Sequence, residues 1–433
     1  MTKQHRDRRG LLQAAAIAAT LPTSMMFQPG HAQPLGPAVT GSAALKAGID
    51  GILRAAVEAR DVPGVVALAA TERGIFYEGV FGTRSLAGGP AITIDTVFRI
   101  ASMTKAVTSV AAMQLVEQGK LSLNDPVPAI DQALGAPQVL EGFDASGTPR
   151  LRPAKQPITL RHLLTHTAGF SYEQWDAKTK RYVAATSMPS TSTGKVAALR
   201  MPLAFDPGER WEYGVNIDWV GKLVESVSGQ TLDAYFREHI FGPLGMKDTG
   251  FVASPEQRAR QINVHQRLSD GSLEPQPFET QFVPEFWAGG GGLYSTATDY
   301  MTFLRALLHQ GSLNGARILK PETVVLMNQN QIGDIEAGIL KTTDPKRSVD
   351  VDFFPGSSLK WGLGYMINAQ ADSNGRSAGS LTWAGIFNTH YWIDPVRQVI
   401  GVVMTQTLPF GDPRSMKVYG QFERAVYDAL KAA

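Results

Sequence analysis

The chain has 433 residues, of which 43% are hydrophobic and 18% are charged, and this balance excludes a disordered protein, a collagen-like fibre and a coiled coil. It contains no cysteine, which excludes disulfides, thiol catalysis and cysteine-ligated zinc. Residues 1–32 carry a net charge of +3 within a total of +2, so the rest of the chain is nearly neutral and offers no basic surface for nucleic acid.

The first predicted element is an export signal over residues 1–32. Arg8 and Arg9 stand directly before an apolar run at residues 11–21, which is too short to span a membrane and has the length of a signal peptide's apolar region. The paired arginines are typical of a twin-arginine signal, with an ordinary secretory signal as the alternative. We expect cleavage after Ala32 and a periplasmic or secreted protein that does not insert stably into a membrane.

The next predicted elements follow from hydrophobic periodicity and from glycine and proline breaks. In chain order they are a helix over 43–60, a hairpin with strands at 65–71 and 75–82, a helix over 102–118, helical segments at 160–165 and 219–228, a helix over 298–309, strands at 361–368, 381–383, 389–394 and 399–405, and a helix over 416–431.

Strands at both ends of the chain surround a helical middle, which predicts an α/β fold with a mostly antiparallel sheet. We therefore expect a discontinuous α/β domain made of residues 33–125 and 293–433. An α-rich domain over residues 126–292 would be inserted into it.

Ser102 and Lys105 are the first candidates for chemistry. Residues three apart on a helix lie on one face, so the lysine amine can reach the serine hydroxyl and remove its proton. The alternative is a serine that caps the helix and a lysine that extends to solvent. Ser192 and Ser357 also stand three residues before a lysine, but both lie in predicted loops. Only Ser102 opens a long apolar helix after a strand.

Two other segments also carry candidate residues. Tyr213 follows a Pro-Gly turn and is either a packed aromatic residue or a general base whose phenolate is stabilised by cations. Residues 383–385 read Trp-Ala-Gly on a predicted strand. Small residues there let backbone N–H groups approach a ligand, or let the sheet pack closely.

Several ordered blocks of sequence together resemble the serine β-lactamase-like superfamily, which has the penicillin-binding fold. Within it the chain is most similar to family VIII carboxylesterases and class C β-lactamases. The blocks are residues 98–105, 119–127, 158–170, 207–213, 290–296 and 361–365. The resemblance covers most of the chain after residue 32, and it implies a β-lactamase-like fold and acyl transfer through an acyl-enzyme.

The same resemblance implies a role for individual residues. Ser102 would be the nucleophile, and Lys105 and Tyr213 would share the role of the base. The backbone N–H groups of Ser102 and Ile386 would form the oxyanion hole. The residues expected to bind substrate are Trp383, Ala384 and Gly385. No metal and no organic cofactor is required.

Two departures from the β-lactamase pattern bear on the substrate. Class C enzymes carry Tyr-x-Asn, but here Asn216 stands one position late, whereas Asp218 fits the family VIII version. Trp383 occupies the place of a lysine whose charge helps β-lactamases hold the lactam carboxylate. An indole has no such charge, so the sequence favours a neutral ester as substrate.

We therefore expect an exported serine carboxylesterase that acts on a small-molecule ester and binds no nucleic acid. A β-lactamase or D-amino-acid peptidase on the same scaffold is one alternative, and a non-catalytic penicillin-binding-like sensor is another. His162 and His166 have a spacing found in metal sites, but no glutamate next to His162 completes a zinc motif, so structural histidines are expected. The loops at 170–195, 280–292 and 340–360 should determine which ester is accepted.

Overall fold

The structure of the protein is a computed structural model that describes residues 43–277 and 284–431. Its strands are numbered β1 to β16. In chain order they are β1 (Gly64–Thr71), β2 (Gly74–Gly82), β3 (Phe98–Arg99), β4 (Gln138–Phe143), β5 (Pro149–Pro153), β6 (His265–Arg267), β7 (Leu273–Pro275), β8 (Tyr294–Ser295), β9 (Ser312–Leu313), β10 (Ala316–Arg317), β11 (Leu359–Trp361), β12 (Met366–Asn368), β13 (Leu381–Gly385), β14 (Thr389–Asp394), β15 (Val399–Met404) and β16 (Thr407–Leu408).

The main sheet is antiparallel and has the strand order β11-β12-β13-β14-β15-β1-β2. It therefore joins a hairpin from early in the chain to five strands from its last third. The remaining strands form short antiparallel pairs, except that β16 adds to β6 in parallel.

The helices surround this sheet. They are α1 (Ala43–Glu58), α2 (Thr104–Glu117), α3 (Gln132–Gly135), α4 (Leu160–Leu164), α5 (Ala177–Thr186), α6 (Asn216–Ser228), α7 (Leu232–Phe236), α8 (Gly242–Leu244), α9 (Pro255–Ala259), α10 (Ala297–Leu308), α11 (Pro321–Met327) and α12 (Pro413–Lys431), with 3₁₀ turns at Ala101–Met103, Thr191–Thr193 and Val196–Leu199 and a π-helical turn at Arg237–Phe241. Among the helices of the described ranges, none combines the length and apolar character needed to cross a membrane.

Helices cover both faces of the sheet at β1. Every residue of β1 is buried, and its side chains alternate between two apolar clusters. Val66 and Leu68 join the cluster that contains α2 and α10, whereas Val65 and Ala67 join the cluster that contains α1 and α12. The sheet is therefore the middle layer of three; α10 packs against β1 and β15, and α2 packs against α6.

The predicted antiparallel sheet flanked by helices is confirmed. The single strand predicted over residues 361–368 is wrong, because a turn divides it into β11 and β12. Gly364 has a φ of 113° in that turn, and a Cβ there would collide with Ser109 Oγ, so only glycine fits. The hairpin β4–β5 was not predicted. The domain boundaries stay a prediction, and the predicted signal lies outside the described residues.

Candidate active site

Ser102 lies in a single 3₁₀ turn, Ala101–Met103, that leads directly into α2. The sequence predicts a helix that begins at Ser102, whereas the α-helix begins two residues later, at Thr104. Ala101 has a φ of 44°, in the left-handed region that non-glycine residues rarely occupy. Such backbone strain costs about 1–3 kcal/mol and is common at active sites. Ser102 itself is half-buried.

Lys105 is buried against Ser102, with only 1% of its surface exposed. Its Nζ donates to Ser102 Oγ at 3.2 Å, to the Tyr172 hydroxyl at 3.3 Å and to the Gly290 carbonyl oxygen at 2.7 Å. Burial lowers the pKa of the amine from 10.5 to about 7, and the nearby carboxylate of Asp218 partly opposes this shift. The neutral amine is therefore accessible near neutral pH, and hydrogen bonds hold it against Ser102.

Tyr213 approaches the same amine from the segment that precedes α6. The Lys105 nitrogen lies 4.6 Å from the centre of the Tyr213 ring, and the Trp383 indole N–H donates to the Tyr213 hydroxyl at 3.1 Å. Burial raises the pKa of the phenol above its usual value, while hydrogen bonds with Ser102 and Trp383 act in the opposite direction. The structure thus brings Ser102, Lys105 and Tyr213 together, and the phenol stays protonated at neutral pH.

Five aromatic rings surround Tyr213, and we call them the aromatic cluster. They are His166, Tyr172, Trp175, Trp211 and Trp383, with ring centres 4.9, 5.3, 5.3, 6.3 and 4.8 Å from that of Tyr213. A ring packed on several sides cannot change its orientation without opening the cluster. The position of the phenolic hydroxyl is therefore fixed before any substrate arrives.

Strand β13 carries the other predicted site residues. Trp383 and Ala384 are 2% and 3% exposed, Gly385 is buried, and Ile386 directly after the strand is half-buried. A Cβ on Gly385 would collide with the carbonyl oxygen of Ile100, two residues before Ser102, so the strand end packs tightly on that turn. The oxyanion and substrate-binding roles of these residues stay predictions.

A second set of residues surrounds Lys105, and the sequence indicated only one of its members. Asp218, on α6, accepts hydrogen bonds from the Gly290 N–H at 2.8 Å and from the Tyr172 hydroxyl at 3.5 Å. Burial raises the pKa of this carboxyl, and the Lys105 charge opposes that rise. The family VIII pattern had singled out Asp218 by its spacing. Tyr172 and Gly290 carried no local signal, because their contacts are with residues far along the chain.

The remaining candidate residues lie in other surroundings. Asn216 is fully buried and donates to the Phe170 carbonyl oxygen at 3.1 Å, with its Nδ2 also 3.0 Å from His166 Nδ1. His162 takes part in capping α4. Lys360, three residues after Ser357, contacts oxygens of residues 334–336. Within the described ranges, no group of three or more His, Asp or Glu side chains is placed to hold a metal.

The chain is similar to known proteins over most of its length. A family model described as Beta-lactamase matches residues 49–424. Monacolin J acid methylbutanoyltransferase from Aspergillus terreus is 34% identical over 390 residues, which cover 86% of this chain and 94% of that protein. Lovastatin esterase from Penicillium rubens is 31% identical over 376 residues, which cover 83% of this chain and 92% of that protein.

A solved structure also matches over most of the chain. The LovD6 mutant of simvastatin synthase from Aspergillus terreus superposes with a TM-score of 0.78 at 34% identity, and the match covers 91% of this chain and all of that one. The predicted β-lactamase-like fold is thereby confirmed. With a family match from the first helix to the last, and with relatives that include acyltransferases and an ester hydrolase, the chain belongs to the β-lactamase family as a serine hydrolase or acyltransferase.

Proposed function

We propose that this protein is an exported carboxylesterase that forms an acyl-enzyme on Ser102, with Lys105 and Tyr213 as its base pair. The observation that carries the proposal is the distance of 3.2 Å between the Lys105 amine and Ser102 Oγ, in a setting that lowers the pKa of the amine to about 7. A neutral amine at that distance can take the hydroxyl proton, which is what a serine needs in order to attack an ester.

The chemistry follows from these positions. Ser102 Oγ bonds to the ester carbonyl carbon while its proton passes to the Lys105 amine, and the developing oxyanion is bound by the N–H groups of Ser102 and Ile386. When the ester C–O bond breaks, the leaving alkoxide receives a proton from Lys105, relayed by the Tyr213 hydroxyl. Water then attacks the acyl group, the same groups take and return its proton, and the acid leaves.

The surroundings of the site favour a neutral, largely apolar ester. We assign Trp383 to the position of the β-lactamase lysine, and its indole N–H, which donates to Tyr213, supplies no charge for a substrate carboxylate. Two relatives have names that refer to a methylbutanoyl group and to lovastatin. We infer that the substrate is a short-chain acyl ester of a bulky alcohol.

Transfer of the acyl group to an alcohol is a second candidate activity. It is favoured by the likeness to Monacolin J acid methylbutanoyltransferase, which extends over 86% of this chain. An alcohol that binds beside the acyl-enzyme would take the place of water in the second step. Incubation with p-nitrophenyl butyrate and excess 1-butanol separates the two activities, because hydrolysis yields butyric acid and transfer yields butyl butyrate.

The test of the main proposal is hydrolysis of p-nitrophenyl butyrate together with intact-mass measurement of the butyryl-enzyme. We expect Ser102→Ala to abolish both turnover and the mass increase. Ser357→Ala is the matched control, because that serine also precedes a lysine by three residues but the lysine contacts oxygens of residues 334–336. Full turnover by Ser102→Ala would refute the proposal. Faster turnover of nitrocefin or of a D-alanyl peptide than of the ester would refute esterase as the main activity.

Export is tested separately. The twin-arginine interpretation rests on Arg8 and Arg9, which precede the apolar run of the predicted signal. In a bacterial host, replacing both arginines by lysine should retain the uncleaved protein in the cytoplasmic fraction, whereas Arg6→Lys should not. Unchanged export of the double variant would show that the route is not twin-arginine.

A further inference from the structure

We propose that Asp218 is a positioning residue that holds the Lys105 amine against Ser102 through two separate hydrogen-bonded paths. The inference rests on the proposed function, because it assigns Asp218 to the residue that activates the nucleophile. Asp218 lies on α6, whereas Lys105 lies on α2, so the two paths also join the two helices at the site.

The first path runs through a peptide group and we call it the peptide path. Lys105 Nζ donates to the Gly290 carbonyl oxygen at 2.7 Å, and the N–H of the same residue donates to Asp218 Oδ1 at 2.8 Å. A Cβ on Gly290 would lie only 2.5 Å from Asp218 Oδ2, so the carboxylate can approach this peptide because residue 290 is glycine. The glycine run at 289–292 therefore has a defined position at the site.

The second path runs through a side chain and we call it the tyrosine path. Lys105 Nζ donates to the Tyr172 hydroxyl at 3.3 Å, and that hydroxyl donates to Asp218 Oδ2 at 3.5 Å. Each oxygen of the carboxylate thus holds one path, and both paths end on the same amine. Two connections from one planar group fix the direction of the amine as well as its distance.

Charge supports the same assignment. Asp218 is 5% exposed and Lys105 is 1% exposed, so little water separates them. The negative charge of Asp218 raises the pKa of Lys105, against the larger effect of burial. A buried carboxylate with no direct ion pair is costly unless it is hydrogen-bonded and lies near an opposite charge. For Asp218, the two paths supply the hydrogen bonds and Lys105 supplies the charge.

The other titratable groups that face this pair are uncharged at neutral pH. Burial raises the pKa values of Tyr172 and Tyr213, so both stay protonated, and Glu173 adds to the rise for Tyr172. Burial and Lys105 hold the pKa of His166 well below its usual value, so that ring is neutral. Among the groups that act on the Lys105 amine, Asp218 supplies the negative charge.

The experiment measures kcat and KM for p-nitrophenyl butyrate against pH in the full chain and in Asp218→Asn. The amide keeps the shape of the carboxylate but removes its charge. We expect the acid limb of kcat/KM to move down by roughly one pH unit, because the amine loses its counter-charge. We also expect kcat at the plateau to fall roughly tenfold, because the amine is held less firmly, with little change in KM.

The matched control is Asp299→Asn. Asp299 also accepts a backbone N–H, from Asp248 at 2.8 Å, and a hydroxyl, from Thr249 at 2.9 Å, but it lies on α10 and has no contact with Lys105 among its hydrogen bonds. Asp299→Asn should lower the midpoint temperature of unfolding and leave the acid limb of kcat/KM at the same pH. The same behaviour in Asp218→Asn, with the limb unmoved, would reduce Asp218 to a structural role and overturn the inference.

Two further variants test the paths even if Asp218→Asn does not fold. Tyr172→Phe removes the tyrosine path but keeps the charge, so it should lower kcat without moving the acid limb. Gly290→Ala should push the Asp218 carboxylate away from the peptide and move the acid limb of kcat/KM to lower pH, as expected for Asp218→Asn. An unchanged kcat in the first variant and an unchanged limb in the second would overturn the inference. Absence of turnover and of the butyryl mass increase in the unaltered protein would instead refute the proposed function.

Discussion

Lys105 combines near-complete burial with hydrogen bonds to three uncharged oxygens, those of Ser102, Tyr172 and Gly290. A lysine in such a setting is stabilised in its neutral form, because desolvation penalises the ammonium ion more than these bonds compensate for it. The same surroundings that make Lys105 unusual as a structural residue make it suitable as a base near neutral pH.

This property predicts the pH dependence of the reaction. Below pH 7 the amine is protonated and cannot accept the Ser102 proton, so kcat/KM should rise with pH through about 7 and then level. Glu212 is the necessary control, because burial and Asp176 raise its pKa to about 7 as well. In steady-state measurements, Glu212→Gln should show the same rise of kcat/KM with pH as the unaltered protein. If the acid limb of kcat/KM disappeared in Glu212→Gln, the titrating group would be the Glu212 carboxyl and not the Lys105 amine.

The indole of Trp383 allows a second test at a single atom. Trp383→Phe keeps an aromatic ring beside Tyr213 but removes the N–H that donates to its hydroxyl. We expect kcat/KM for p-nitrophenyl butyrate to fall about tenfold, which corresponds to one hydrogen bond of about 1.4 kcal/mol. Trp219→Phe loses a similar bond, to the Leu199 carbonyl oxygen, and should reduce stability but not turnover. Equal activity losses in both variants would contradict a specific role for the Trp383 N–H.

How far residues can be predicted from the sequence depends on where their partners lie. Ser102 and Lys105 are three residues apart, so helical geometry allows them to meet, and the resemblance to the β-lactamase-like superfamily favoured that contact over a lysine that extends to solvent. Tyr213 required several sequence blocks taken together. Tyr172 and Gly290 contact Lys105 across more than sixty and more than one hundred and eighty positions of chain, as the hydrogen bonds show. Contacts of that kind leave no local pattern, and so both residues were missed.

At the scale of elements, the contact between β13 and the turn that carries Ser102 is the most sensitive. Gly385→Ala would place a methyl group against Ile100 O and Thr389 Oγ1, and either the strand or the turn must move. We expect a loss of about 1–3 kcal/mol in the free energy of unfolding and a larger proportional loss of kcat. Gly420→Ala on α12, where a Cβ meets nothing closer than 3.5 Å, is the control. Wild-type turnover in Gly385→Ala would show that the contact is not needed.

Element prediction succeeded where burial alone decides the pattern. The strands β1, β14 and β15 were predicted nearly to their observed ends, and every residue in them is buried by the sheet and the helices that cover it. The hairpin β4–β5 was missed, since most of its side chains are exposed or only half-buried and its sequence lacks clear alternation. The division of residues 359–368 into two strands depended on a glycine turn inside an apolar stretch.

At the scale of the whole molecule, the candidate site and a buried ion pair lie on opposite faces of the sheet. The face covered by α12 contains a buried ion pair, Arg376 with Glu423, whose side chains are 1% and 2% exposed. Glu423→Gln leaves the guanidinium without its counter-charge and should lower the free energy of unfolding by about 3–5 kcal/mol in urea denaturation.

The matched control for this buried ion pair is an ion pair at the surface. Asp428→Asn removes an ion pair with Lys431 whose side chains are more than half exposed, and it should cost less than about 1 kcal/mol. Ester turnover per folded molecule should be unchanged in both variants. A loss of turnover in Glu423→Gln without a loss of stability would mean that the two faces are coupled.

The pairing of β1 with β15 has a consequence for biosynthesis. Val66 lies opposite Met404, so β1 receives β2 as a neighbour almost at once and β15 only after most of the chain has left the ribosome. Until then the nascent chain exposes one edge of β1 and apolar surface on both of its faces, which favours chaperone binding over early folding. Ser102 is translated early, but the strand that packs against its turn is not, so active enzyme can accumulate only after translation is nearly complete.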